Sequence, residues 1–383
     1  MISGFSGKIA KKYEGSAFEL MADVAMDALN MAGLGLRDVD GLSTTFLPGV
    51  FDGKTHLHFQ ASQVAQYLGI RPKYLDLLDF GGASALAMIP RAINAVASGL
   101  AENVLCILGG KGSEVRSKGV TVDGYDRVDK GVQLTPFDRY YRGGFDFNPV
   151  TDYALAAQRH AKVFGTRDEQ RAMIAVSQRK NSVTNPYALY PEELTVERVL
   201  SSPVIAEPLH LLEAVYPVDG FHAFVVSKRN RTLNDLRVEA YGEAHWPEMP
   251  CELDDLVVTP ALESSRRAGF DPRRADCLQL YDSFTITVLL QIEDVGLAKK
   301  GQGGKFVEST DTTRRGELPI NTGGGSLNTG QPAYMSGGVL LEEAVRQLNG
   351  LAGDHQLSAV KSVFLNGIGG WGRNHSVTLV LGV

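Results

Sequence analysis

The chain has 383 residues, 44% of them hydrophobic and 21% charged, with a formal net charge of -6, which suits a soluble globular protein of two or three units. The acidic balance and the lack of a Lys/Arg block exclude nucleic acid and anionic membrane surfaces as partners, and VLCIL, ITVLL and VTLVL are too short to span a bilayer. No apolar stretch follows Lys8, Lys11 and Lys12 to make a secretory signal, and Cys106, Cys251 and Cys277 are too scattered for disulfides or a cysteine-rich zinc site, so a cytoplasmic location is expected.

The first predicted helix is SAFELMADVAMDALNMAGL, with apolar residues at three- and four-residue spacing and Gly33 as its stop. DVDGLSTTFL follows as a short strand and THLHFQASQVAQYLGI as a helix ending at Gly69. KYLDLLDFGGASALAMIPRAINAVASGLAENVLCILGGKG reads as strand, glycine turn, helix and strand, with VLCIL fully buried. From Ser113 to Tyr190 the character changes. The aromatic and arginine-rich TPFDRYYRGGFDFNP precedes two helices, TDYALAAQRHAKVF and RDEQRAMIAVSQRKNSV, and reads as an insertion over one sheet end. GFHAFVVSK is the next strand.

In the last third, DDLVVTPALESSRRAG (helix), CLQLYD (strand) and TITVLLQIEDVG (helix) lead to the glycine-rich loop INTGGGSLNTGQPAYMSGG, Ile320 to Gly338. The helix VLLEEAVRQL and the strand SVFLNGIGG follow it. Glycine turn, helix and strand ending in glycines thus occur twice, at Gly81–Gly110 and Gly330–Gly370. The fold expected is α/β: two related halves of mixed sheets with helices on their faces, their glycine loops meeting at one cleft. Residues 1–112 and 195–232 are assigned to the N-terminal half, 113–194 to the inserted loop domain, and 233–383 to the C-terminal half.

Several motifs point away from familiar chemistry. GIGGWG, Gly367–Gly372, has the letters of a dinucleotide fingerprint, but a strand and the chain end follow it, so a hairpin turn with close backbone approach is expected. His56 and His58 have no third ligand nearby, the other histidines are scattered, and no HExxH or GxSxG occurs; no metal site is expected. Cys106 and Cys277 sit in strands, where a thiol is structural. Four glycine-linked loops remain: DFGGASAL, YDSFT, GGGSLNTGQPAY and LNGIGG. Backbone N–H groups in such turns, beside helix N-termini, suit an oxyanion hole.

GGASALAMIPRAINAVASG, YALAAQRHAKVFGT, NPYA, SSPVIAEPLHLLEAVYPVDGFHAFVVSK, YDSFTITVLLQIEDVGL and GGSLNTGQP together resemble the thiolase superfamily, of the sterol-carrier-protein-X and lipid-transfer-protein type. The resemblance spans nearly the whole chain, which opens at ISGFSGK with little of the family's usual first strand before it. It implies a thiolase-like fold and a homodimer. The departures matter more. Where the family's acyltransferases carry a cysteine nucleophile before Ala-Ser, this chain has Gly82; the His-Asp pair reads Tyr281-Asp282; Gly-His-Pro reads Gly330-Gln331-Pro332; and Leu365-Asn366 stands near the C-terminal His-Asn or Cys. Thiolase chemistry needs a thiolate to hold the acyl group, so the chain is not expected to be a thiolase.

The same losses are similar to those of the thiolase-like aldolases of steroid side-chain degradation. That resemblance implies retro-aldol cleavage of a β-hydroxyacyl-CoA to a ketone and a shorter acyl-CoA such as propionyl-CoA. It implies no cofactor beyond the CoA of the substrate, and a small OB-fold partner with a zinc ribbon, often joined to a hydratase subunit. On this reading Tyr334 and Tyr281 are the catalytic phenols, backbone groups at Gly82, Gly369 and Gly370 hold the enolate oxygen, and Gln331 and Asn366 orient the thioester or a water. Two other readings fit the same losses: a non-catalytic acyl-CoA-binding or scaffold subunit, and an acyltransferase with another nucleophile, Ser84 or Ser326.

Overall fold

The computed structural model describes residues 1–47, 59–113, 149–190, 192–228, 233–247, 254–333, 336–370 and 372–383. His56, His58, Cys251 and the aromatic cluster from Phe137 to Phe147 lie outside the described residues. The strands are β1 (Ile2–Ala10), β2 (Gly41–Thr45), β3 (Tyr74–Leu78), β4 (Asn103–Lys111), the short pair β5 (Val204–Ala206) and β6 (Leu209–His210), β7 (Pro217–Ser227), β8 (Arg237–His245), β9 (Cys277–Leu280), β10 (Gln331–Pro332), β11 (Ser362–Gly369) and β12 (His375–Gly382).

One sheet runs β1-β7-β4-β2-β3, with β10 beside β7, and a second runs β8-β12-β11-β9. The expected relation between the halves shows in the pairing. β1, β7 and β4 are successively antiparallel and β2 joins β4 in parallel; β8, β12 and β11 are successively antiparallel and β9 joins β11 in parallel. The first sheet adds β3, parallel to β2.

Helices Ser84–Ala97 and Ser336–Asn349 lie between the two sheets. Leu86, Ile89 and Ala92 of one and Leu341, Val345 and Leu348 of the other share one core with Val104, Cys106 and Leu108 of the first sheet and Val363, Leu365, Val377 and Leu379 of the second. Because successive strand residues face opposite sides, Leu105, Ile107, Phe221 and Val225 turn outward onto helices Ala17–Met31 and Gln60–Leu68. Phe364, Ile368 and Val380 turn outward in the second sheet, onto a core shared with helices Pro149–Phe164 and Thr285–Asp294. Burial on both faces is why VLCIL and VTLVL read as unbroken apolar runs.

Some expectations need correction. ISGFSGKIA is itself the first strand, paired with β7 over its length. Its glycines are there for close packing: a Cβ on Gly4 would stand 2.2 Å from Ala28 O. RVEAYGEAH forms β8, which the sequence reading left without an element. The helix expected over DDLVVTPALESSRRAG is confined to Ala261–Ala268, starting after Pro260, where the fixed φ of proline suits a helix start. No helix among the described residues is long and apolar enough to cross a membrane.

Candidate active site

Gly81 to Ala83 form a single 3-10 turn between β3 and helix Ser84–Ala97. Ser84 fastens it, its Oγ accepting from Phe80 N–H at 2.9 Å, and Gly81 takes φ +51, a conformation that favours glycine. The end of β11 presses against this turn. A Cβ on Gly369 would stand 1.9 Å from Phe80 O and 2.7 Å from Gly82 N, and one on Gly81 only 2.8 Å from Gly370 N. Helix Ser336–Asn349 starts at the same place: a Cβ on Gly337 would be 2.1 Å from Gly82 O. Two helices therefore begin at Gly82, and their dipoles favour negative charge there.

Tyr281 fills the space beside Gly82. A Cβ on Gly82 would lie 1.9 Å from Tyr281 Cε2 and 2.6 Å from Cζ, well inside any tolerable contact. The ring comes from a clamped backbone. Tyr281 N–H donates to Asn366 O at 3.0 Å and Gln291 Oε1 at 3.1 Å, and Gln291 Nε2 donates back to Tyr281 O at 2.6 Å. The strand β9 thus delivers the phenol to the turn, and helix Thr285–Asp294 holds it in place.

The next residue, Asp282, anchors the glycine-rich loop. Its fully buried carboxylate accepts from Ser326 N–H and Leu327 N–H, both at 3.1 Å, and a Cβ on Gly325 would be 2.1 Å from Oδ2. Burial pushes its pKa up to about 7 against the lowering effect of the Leu327 and Ser326 N–H groups. Asn321, at φ +52, extends β9 with its side chain, accepting from Leu280 N–H at 2.8 Å and donating to Leu280 O at 2.9 Å. Thr322 Oγ1 donates to Glu343 Oε1 at 2.6 Å, fastening the loop to helix Ser336–Asn349.

Of the residues expected in the site, the structure brings together Gly82, Gly369, Gly370 and Tyr281. Gln331 is buried in the loop that leads into helix Ser336–Asn349, its Nε2 donating to Ala333 O at 2.6 Å and its N–H to Tyr216 O at 2.9 Å. Tyr334 lies outside the described residues. The Asn366 side chain points to the opposite face of β11, with Phe364 and Ile368, where Nδ2 meets Thr378 Oγ1 at 2.9 Å and Ser376 Oγ at 3.1 Å. The residue of β11 that faces the turn is Gly367, whose Cβ would stand 3.0 Å from Ala83 Cα. Alternation along the strand could have shown this from sequence. The thiols of Cys106 and Cys277 are fully buried, and burial pushes both pKa values up, away from thiolate.

The histidines are less scattered than their spacing suggested. His245 and His375 meet Nδ1 to Nδ1 at 3.0 Å and both pack on Phe80, with ring centroids 4.6 Å and 5.3 Å away. Burial and the neighbouring His245 bring His375 down to about 4. Three others pair with buried acids: His160 with Glu293, His222 with Glu342 and His355 with Glu343. Separations of 12 to 133 residues hide these pairs from sequence reading. Among the described residues, no group of three His, Cys, Asp or Glu side chains is placed to hold a metal ion.

Residues 242–382 match the family model for the thiolase C-terminal domain-like fold. Over 352 residues the chain is 31% identical to the 17-hydroxy-3-oxo-4-pregnene-20-carboxyl-CoA lyase of Mycobacterium tuberculosis, covering 88% of this chain and 87% of that one. The chain belongs to the thiolase superfamily, on the side of the steroid aldolases. Another superfamily relative, an acetyl-CoA acetyltransferase of Methanothermobacter thermautotrophicus, is 27% identical over 97% of this chain and 96% of its own. Among solved structures, an Ltp2-ChsH2(DUF35) aldolase superposes with a TM-score of 0.82 at 26% identity, over 100% of this chain and 97% of that one.

Two outcomes follow from the geometry. Gly82→Ala is expected to destabilise the protein by about 1–3 kcal/mol through overpacking, and Tyr281→Ala by about 3–5 kcal/mol through the cavity it leaves. The double variant is expected to cost less than the sum, because removing the ring relieves one of the two clashes of the added Cβ, the other being Ile368 O at 2.6 Å; urea denaturation of the set checks this. Asp282 keeps its proton in the fold up to about pH 7 but loses it near 3.8 when unfolded, so its contribution to stability falls as pH rises through that window. Asp282→Asn is expected to remove this slope, which is at most about 1.4 kcal/mol per pH unit, in denaturation curves compared at pH 5 and pH 8.

Proposed function

We propose that this protein cleaves a β-hydroxyacyl-CoA, a steroid side-chain intermediate, by retro-aldol reaction to a ketone and a shorter acyl-CoA such as propionyl-CoA. The observation that carries the reading is the Tyr281 ring in the space that a side chain at position 82 would need. A residue there has no room for a nucleophile, and Gly82 has none to offer. The position matches that of the family's cysteine by the sequence blocks GGASAL and YDSFT. The names of the lyase and aldolase relatives point the same way.

In this mechanism a phenolate base takes the β-hydroxyl proton, and the Cα–Cβ electron pair passes into the thioester as an enolate while the ketone forms. An acid then returns a proton to the α-carbon, so no proton is consumed overall. Tyr334 is assigned as base and Tyr281 as acid. A free phenol titrates near 10, so base action at neutral pH needs positive charge or strong hydrogen bonds close by. Backbone N–H groups at Gly82, Gly369 and Gly370, with the two helix N-termini, are assigned to the enolate oxygen, where one well-placed donor is worth roughly 3 kcal/mol. Gln331 orients the thioester; the place of the Asn366 side chain favours a structural duty for it instead.

We further propose a homodimer, a small OB-fold partner with a zinc ribbon, and a cytoplasmic location. The edge strand β3 supports the dimer, since among the described residues it pairs with β2 alone and leaves Leu75 44% and Leu77 43% exposed. The two buried thiols suit a reducing compartment.

Tyr334→Phe and Tyr281→Phe are each expected to lower ketone release at least 100-fold, as loss of a general acid or base does, with the melting temperature kept. The assay is mass spectrometry of ketone and acyl-CoA from β-hydroxyacyl-CoAs, with the OB-fold partner present. Turnover by both variants near that of the unsubstituted protein rejects the assignment. An acyl adduct on Ser84 or Ser326 after incubation with acyl-CoA points to an acyltransferase instead.

A further inference from the structure

We propose that the buried pair His222–Glu342 is a positioning pair: it fixes where helix Ser336–Asn349 begins, and thereby the helix turn that presses on Gly82. His222 comes from β7, opposite Gly7 of β1, and its Nδ1 meets Glu342 Oε2 at 2.8 Å. Both side chains are almost fully buried. The other oxygen of Glu342, Oε1, accepts from Arg346 Nε at 2.9 Å and Nη2 at 2.6 Å, and the Arg346 guanidinium lies over the rings of Phe5 and Tyr187.

The surroundings are cut to this pair. A Cβ on Gly7 would stand 1.9 Å from Glu342 Oε2 and 2.7 Å from His222 Nδ1, and one on Gly338 would stand 2.8 Å from His222 Cδ2. Gly338 belongs to the first turn of the helix, and its neighbour Gly337 is the residue pressed on Gly82 O. The imidazole is therefore in contact with the very turn that touches Gly82. On the same helix the adjacent Glu343 reaches a different element, taking Thr322 Oγ1 of the glycine-rich loop at 2.6 Å and His355 Nε2 at 3.1 Å. One acid ties the helix to the first sheet and the next ties it to the loop.

Such a pair adds little net stability, since desolvating two charges offsets most of their attraction; what it contributes is a fixed separation. His222, Arg346 and burial act on Glu342 together: burial raises its pKa, and the His222 hydrogen bond, the His222 charge and Arg346 outweigh it and hold the carboxyl below its usual range. The partners of the pair thus come from β7, β1 and one helix turn, and no apolar replacement reproduces that spacing.

The inference rests on the retro-aldol reading for its turnover test alone. His222→Leu is expected to lower kcat about tenfold or more with KM changed less than about threefold, as a shift of the helix turn packed on Gly82 does. His222→Asn, whose amide nitrogen stands near the position of Nδ1, is expected to recover most of that loss. Amide hydrogen exchange in the substrate-free protein is expected to rise about tenfold or more at residues 337–341 of His222→Leu while residues 345–349 stay protected. A folded His222→Leu with unchanged kcat, or with exchange raised evenly along the helix or not at all, overturns the proposal. If His222→Leu fails to fold, Glu342→Gln carries the same exchange comparison. Should the unsubstituted protein release no ketone, the functional reading fails, and the exchange pattern still decides the positioning role.

Discussion

A side chain at position 82 and the ring of Tyr281 cannot share one space. The turn from Phe80 to Ala83, the end of β11 and the start of helix Ser336–Asn349 converge so tightly that glycine is required at 81, 82, 337 and 369. Beside Gly82 in that convergence stands the ring of Tyr281. The clamp on the Tyr281 backbone by Asn366 O and Gln291 makes the occupancy a property of the strand and not of a side-chain rotamer alone. Rigid elements place a side chain more accurately than loops do, and here three of them meet.

Buried acids hold the surrounding loops to that centre. Asp282 takes two N–H groups at the start of Gly325–Thr329, Glu343 takes Thr322, and Glu342 takes His222 and Arg346. These carboxylates lie in a medium where an unpaired charge is costly, so each is matched by donors or a cation. The arrangement exchanges net stability for specified geometry. Asp282 is the least compensated, with neutral donors only and its pKa pushed up to about 7 as a result.

Much of this was legible in the chain's letters, and the gaps have physical causes. VLCIL, GFHAFVVSK and VTLVL announce strands because both faces are buried, and the helices announce themselves by spacing. ISGFSGKIA hid its strand because Gly4 and Gly7 answer to Ala28 and Glu342, close contacts from distant sequence that propensity does not record. RVEAYGEAH hid because β8 is a half-exposed edge strand with charged residues on one side. In the site, the glycine loops around Gly82 and Tyr281 were readable as loops that meet. Asn366 was readable as to type but not as to face, and a shift of one residue along a strand exchanges the core side for the other. His222 and Glu342 carry no local signal at all, being 120 residues apart.

The geometry also bears on how one scaffold would serve carbon–carbon cleavage both with and without acyl transfer to a thiolate. Acyl transfer to a thiolate and retro-aldol cleavage both develop negative charge on a thioester oxygen. Two helix N-termini and a glycine-lined turn would suit that oxygen in either reaction. What distinguishes the reactions is the group that meets the neighbouring carbon. On the proposed reading a thiolate at position 82 would attack it, whereas the Tyr281 ring in that volume would only give or take a proton. A side chain at position 82 and the Tyr281 ring exclude each other, so on the proposed reading loss of a nucleophile and gain of a phenol go together.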